Sequence, residues 1–227
     1  MIWVVNTEEL SAAKRVVAAC KKMVESGFVV GTWGNISTRI EGRFVITPSG
    51  MSYDKLSPED MIIVDVNGNV VQGKWKPSTD TPLHVAIYKA RKDVHAIVHT
   101  HSVFSSAVAV TGCGIPAIIE DLVQIVGGEV NVAAYAFPGT QEFAENAVKA
   151  LSDRNAVLLA NHGVVGVGRD LEEAFRVCEI VEKSAQILIY SKVLGNPIII
   201  DKEDIKHLRK FFLMKYGQKK TVKPRNI

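Results

Sequence analysis

"MIIVDVNGNVVQGK", residues 61–74, is the stretch that decides the fold. Two apolar, β-branched runs flank Asn67-Gly68, the turn pair expected of a hairpin. A hairpin joins antiparallel neighbours, so a sheet that contains this one cannot be all parallel. The run "RFVITPSG" (43–50) reads as a further strand on its N-terminal side. Before that, residues 7–26 place Leu10, Ala13, Val17, Cys20 and Val24 at helical spacing, with acids in the first turn and Gly27 as the stop. On the C-terminal side, Thr81-Pro82 offers a cap followed by proline, and "LHVAIYKARKD" keeps the helical period, which predicts a helix from about Pro82 to Arg91.

Farther out, strand and helix patterns alternate. "HAIVHTH" (95–101) alternates as a strand, "SVFSSAVAV" (102–110) has a helical pattern, "VNVAAYA" (130–136) is a strand, and "TQEFAENAVKAL" (140–151) is a helix capped by Thr140. "AVLLANHGVVGVG" (156–168) reads as two strands around a turn. Residues 170–195 form a long helix ending at Gly195, and residues 201–217 a short closing one. With no Ser/Gly/Pro-rich linker and no internal repeat, residues 1–227 are expected to form one α/β domain. Its sheet should be mixed and mainly antiparallel, with helices on both faces.

Bulk properties narrow the function. A net charge of +3, from 27 basic and 24 acidic residues, is too balanced to point to nucleic acid. No segment approaches a bilayer span or a signal peptide, so a cytoplasmic protein with no membrane association is expected. Three scattered cysteines, Cys20, Cys113 and Cys178, fit buried thiols better than disulfides or a thiolate metal site. Five basic residues crowd the C-terminus: Lys215, Lys219, Lys220, Lys223 and Arg225. By charge alone they read as a solvated tail.

Six histidines are present, and three of them fall within "HAIVHTHSVF" (95–104). On a strand, His99 and His101 point to the same side with backbones about 6.6 Å apart, so both imidazoles can reach one metal ion. Two hydrogen-bonded core histidines are the alternative. His162, at a strand end in "LLANHGVVGVG", would complete a three-histidine face of the kind that holds catalytic zinc. Asp80, in "PSTDTP" just before a helix, is the best carboxylate to join them, its alternative being a helix-start residue. His84 and His95 read as structural or as orienting a ligand, and His207 as exposed. Three further segments, "GTWGNIS" (31–37), "TPSGMSY" (47–53) and "KPSTDTP" (76–82), combine hydroxyls with glycine, proline or asparagine. Singly these are ordinary turns; converging, they can hold a phosphate.

Together with "ITPSGMSYDKLSPEDM", "IPAI" and the closing "FFLMKYG", these segments in this order resemble the class II aldolase/adducin head family. The likeness is strongest to its L-fuculose-1-phosphate aldolase branch, from about Gly31 to Gly217. The resemblance implies a three-layer α/β/α domain, assembled as a homotetramer with active sites at subunit interfaces. It further implies Zn2+ or another divalent metal on His99, His101 and His162. Asp80 would be the acid/base carboxylate and a further ligand. The phosphate loops would comprise Thr32, Gly34, Asn35, Ser49, Gly50, Ser78 and Thr79, and Tyr216 would transfer a proton from a mobile tail beginning near residue 214. The implied reaction is cleavage of a ketose 1-phosphate to dihydroxyacetone phosphate and a short aldehyde such as lactaldehyde. Three positions depart from the branch. Asp80 stands where it has glutamate, a form similar to the L-ribulose-5-phosphate 4-epimerases; Glu120 stands in place of a tyrosine; and Pro138, next to Phe137, in place of an aromatic, the resemblance placing Glu120 and Phe137 near the substrate, where the aldehyde would bind. An epimerase, a sugar-phosphate dehydratase and a non-catalytic adducin-like interaction module are the alternatives.

Overall fold

The structure, a computed structural model, describes residues 6–216. The start of the chain lies outside them, as do Gly217 and the basic residues Lys219, Lys220, Lys223 and Arg225. Eight strands form one sheet: β1 (Asn35–Ile40), β2 (Arg43–Ile46), β3 (Ile62–Asp65), β4 (Val70–Gln72), β5 (Ala96–Thr100), β6 (Asn131–Ala133), β7 (Ala156–Leu159) and β8 (Gly163–Gly168). Their order is β4-β3-β2-β1-β5-β8-β7-β6, and among the described residues only β6 and β7 run parallel. The helices are α1 (Thr7–Glu25), α2 (Thr81–Ala90), α3 (Val103–Ala109), α4 (Glu120–Val126), α5 (Gln141–Leu151), α6 (Leu171–Leu194) and α7 (Lys202–Lys215). This is the expected three-layer α/β/α arrangement around a mainly antiparallel sheet.

The β3–β4 hairpin is present, but its turn differs from the expected one. Only Gly68 takes positive φ (95°); Asn67 does not. The Asp65 carboxylate organises the turn by accepting from the backbone N–H groups of Asn67 (2.8 Å) and Asn69 (2.9 Å). At the other end of the chain, Asn6 caps α1 in a reciprocal box with Glu9.

Strand parity assigns the layers. Ala96 and Val98 pack with α1 and α6, while Ile97, between them, packs with α2 and α5 on the opposite face. The same alternation continues on β7, where Val157 and Leu159 join the α2/α5 side and Ala156 and Leu158 the side of α3, α4 and α6. Two elements depart from the sequence reading. Residues 35–40 form β1, although 35–37 belong to a segment read as a turn and 38–40 were assigned no element; their α2-facing positions, Asn35, Ser37 and Arg39, are polar, which hides the apolar alternation of a strand. The seven residues of α4 are too few to show a period. Cys20 and Cys178 are buried as expected, whereas Cys113 sits exposed in the turn after α3. His95, just before β5, is exposed and is not part of the group formed by His99, His101 and His162.

Candidate metal centre

The central strands carry the site. On β5, His99 lies opposite Asn35 of β1 and Val165 of β8, and its ring is fully buried. His101 follows the strand end, held there by its N–H donating to Phe28 O at 3.0 Å. His162 occupies the tight turn between β7 and β8, where Asn161 adopts left-handed backbone (φ 58°) and the His162 N–H returns to Leu159 O at 3.0 Å. His99 Nε2 is 3.0 Å from the Nε2 atoms of both His101 and His162. Two glycines permit this approach. A Cβ on Gly163 would stand 2.3 Å from Thr100 O and 3.3 Å from ring atoms of both His99 and His101, and one on Gly34 (φ 85°) would stand 2.7 Å from His99 O.

Electrostatics suit a cation. His99 Nδ1 donates to Val164 O at 3.0 Å, so its Nε2 presents a bare lone pair to the cluster. Burial, with the neighbouring rings His101 and His162, holds His99 well below the usual imidazole range. Burial and His162 lower His101 to about 4, and burial outweighs the nearby Asp80 charge to lower His162. Three imidazoles whose ring nitrogens all lie within 4.8 Å of one another, two of the pairs at 3.0 Å, form a donor set that could hold one metal ion. A carboxylate stands beside it: Asp80 Oδ2 is 3.8 Å from His99 Nε2, and Asp80 Oδ1 is buried with no hydrogen-bond partner among the described residues. The residues present therefore fit a divalent metal.

Asp80 holds the N-cap position of α2, one residue before the expected cap at Thr81, yet its side chain makes no capping bond. It turns inward to accept from Asn35 Nδ2 at 2.8 Å. An aspartate that leaves helix N–H groups uncapped to face a histidine cluster is placed by the site, not by the helix.

A cavity of about 300 Å³ opens over this centre, lined by Asp80, His101 and His162. All seven predicted loop residues line it as well: Thr32, Gly34, Asn35, Ser49, Gly50, Ser78 and Thr79. An antiparallel bridge between Pro48 and Pro77 draws two of the loops together, with Ser49 N–H donating to Lys76 O (2.9 Å) and Ser78 N–H to Thr47 O (3.1 Å). Sequence reading did not single out Trp33, which lines the cavity and stacks against His101 with ring centroids 6.0 Å apart. Its only signal was an apolar ring between two glycines of a loop. Pro138 also lines the cavity; Phe137 beside it is exposed. Glu120 and Tyr216 do not line it. Glu120 opens α4 and faces a groove shared with α7, and the Tyr216 ring lies tilted against Phe212 at the end of α7.

Site and fold define a class II aldolase type of protein. The chain matches the class II aldolase and adducin N-terminal domain family over residues 14–189. It is 39% identical over 207 residues to a 5-deoxy-D-ribulose 1-phosphate aldolase of Bacillus thuringiensis serovar kurstaki, covering 90% of this chain and 96% of that one. It is 34% identical to an L-fuculose phosphate aldolase of Escherichia coli K12, covering 87% and 92%. A solved L-fuculose 1-phosphate aldolase superposes with a TM-score of 0.88 at 34% identity, over 92% of this chain and 98% of that one. The protein belongs to the class II aldolase/adducin family.

Proposed function

We propose that the protein is a zinc-dependent aldolase that cleaves a short ketose 1-phosphate ending in a methyl group to dihydroxyacetone phosphate and an aldehyde, acetaldehyde or lactaldehyde. The observation that carries this reading is the convergence of three imidazole Nε2 atoms and the partnerless Asp80 Oδ1 beneath a cavity walled by hydroxyl and glycine loops. Both the 5-deoxyribulose- and fuculose-phosphate aldolases among its relatives act on sugars whose last carbon is a methyl.

A divalent ion held by three neutral imidazoles keeps its full charge and supplies a Lewis acid for the sugar ketone. His99, His101 and His162 would hold it. Hydroxyls of Thr32, Ser49, Ser78 and Thr79, with backbone N–H groups beside Gly34 and Gly50, would hold the phosphate and keep the substrate in register. The Asp80 carboxylate would take up the proton of the hydroxyl that becomes the aldehyde, directly or by way of a neighbour's Tyr216, as the carbon–carbon bond breaks, and return it to the carbon that leaves in dihydroxyacetone phosphate. Trp33 and Pro138 give the cavity an apolar side.

The assembly belongs to the same reading. Tyr216 and Glu120 do not line this cavity within one chain, so a homotetramer with its sites at subunit interfaces would bring them to a neighbour's cavity. Exposed Val193, Leu194 and Ile198 are apolar surface suited to such contacts. Incubating metal-loaded protein with 5-deoxyribulose 1-phosphate, L-fuculose 1-phosphate and L-ribulose 5-phosphate tests the assignment. Triose phosphate from either 1-phosphate is expected. Formation of xylulose 5-phosphate alone would assign an epimerase, and silence on all three, with no bound metal, an interaction module.

A further inference from the structure

Two periodicities meet behind the metal centre. Asp80, His84 and Tyr88 recur every four residues from the start of α2 and so lie on one stripe. Asn35 and Ser37 are two apart on β1 and share the face that meets it. The two series interlock as a single buried chain. Asp80 Oδ2 accepts from Asn35 Nδ2 (2.8 Å), Asn35 Oδ1 meets His84 Nε2 (2.6 Å), His84 Nδ1 meets Ser37 Oγ (2.6 Å), and Ser37 Oγ meets Tyr88 OH (2.8 Å). Arg39, next on the same strand face, donates to Tyr88 O at 2.8 Å and lies over its ring, which anchors the far end.

With Asp80 as a carboxylate and His84 as a neutral ring, only one assignment of protons satisfies every contact. An ionised carboxylate only accepts, so Asn35 must turn its amide nitrogen to Asp80 and its oxygen to His84. His84 then carries its hydrogen on Nε2, its Nδ1 accepts from the Ser37 hydroxyl, and Ser37 in turn accepts from Tyr88. The His84 ring is fully buried, and burial disfavours the charged form, in keeping with the neutral ring this order requires. A reversed Asn35 amide would set N–H against N–H at His84 and oxygen against oxygen at Asp80. An asparagine amide does not ionise near neutral pH, so the chain conducts no proton away from Asp80. Its effect is orientation.

We propose that His84 is a positioning residue: as the Nε2–H tautomer, backed by Ser37 and Tyr88, it locks the Asn35 amide, which holds Asp80 by Oδ2 and leaves Oδ1 without a protein partner. The inference rests on the reading of Asp80 as the proton-transferring group. Two measurements test it. Nitrogen-15 NMR of the metal-free protein needs no substrate; His84 is expected to show a protonated Nε2 and a bare Nδ1 between about pH 5 and pH 8. In the metal-loaded enzyme, His84→Leu is expected to lower kcat for sugar-phosphate cleavage about tenfold or more, with KM within about threefold and metal content unchanged. His84→Gln, whose amide can place an N–H where the ring carries its own, should recover most of that loss. The same variant keeps the test in force if the leucine protein does not fold. An Nδ1–H tautomer, or parental kcat in both variants, overturns the proposal, as does equal loss of kcat and metal in His84→Gln. A parent protein that cleaves none of the sugar phosphates defeats the aldolase reading instead, while the tautomer still decides the chain of hydrogen bonds.

Discussion

At the scale of single residues, Asp80 and the buried histidines make opposite demands on protons. Asp80→Asn removes the proposed proton carrier but none of the three imidazoles, so kcat should fall by about 10²–10⁴ while metal content, read by atomic absorption, stays near parental. The histidines respond to pH through burial. In the unfolded chain His84 takes up a proton below its ordinary value of 6.5, whereas in the fold it stays neutral down to about 3. Through that window the unfolded state binds more protons, so stability falls as pH falls, by about 1.4 kcal/mol per pH unit for a fully buried ring. Denaturant melts of metal-free protein between pH 7 and pH 5 should show this loss, and His84→Gln should make the slope shallower. The histidine trio was legible in the sequence because strand parity alone puts His99 and His101 on one side and a strand end delivers His162. Asp80 was ambiguous, since an aspartate before a helix is also a good cap. Only its missing capping bond separates the two roles.

At the scale of elements, the site depends on how closely β5, β8 and the loop before β1 approach. Gly163 is the contact point. Its missing Cβ would lie 2.3 Å from Thr100 O, in backbone that cannot yield cheaply. Gly163→Ala should therefore cost about 1–3 kcal/mol in thermal or denaturant unfolding and also weaken metal binding, because His162 is the residue just before it. Parental stability and metal affinity in that variant would show that the strands have room to move apart. The sequence exposed most of these elements, since helices α1, α2, α5 and α6 carry strong periodicity. β1 was hidden for a physical reason: its inward face holds Asn35, Ser37 and Arg39, whose burial is made tolerable by hydrogen bonds to α2 and the turn after it, which no single-chain pattern displays.

At the scale of the whole molecule, the cavity over one chain's histidine cluster is walled by the three hydroxyl- and glycine-bearing loops, while Tyr216 and Glu120 stand elsewhere. Tyr216 is exposed at the end of α7, so Tyr216→Phe should leave melting temperature and metal content unchanged. If a neighbouring copy delivers it, cleavage should nonetheless drop sharply; unaltered turnover would remove Tyr216 from the reaction. The motif order along the chain made the family legible, but the aldehyde half of the substrate was not, because Trp33, Pro138 and Phe137 are apolar groups whose relation to the cavity appears only in three dimensions. The central claim is that His99, His101 and His162 hold one divalent ion required for cleavage of a phosphorylated ketose. Its most direct measurement is triose phosphate released from 5-deoxyribulose 1-phosphate or L-fuculose 1-phosphate by the protein as loaded with zinc, after chelation, and after zinc is restored. Release that disappears on chelation and returns with about one zinc per chain is the expected result. Release at the same rate from the stripped protein, or stoichiometric zinc with no triose phosphate from either sugar, would contradict it.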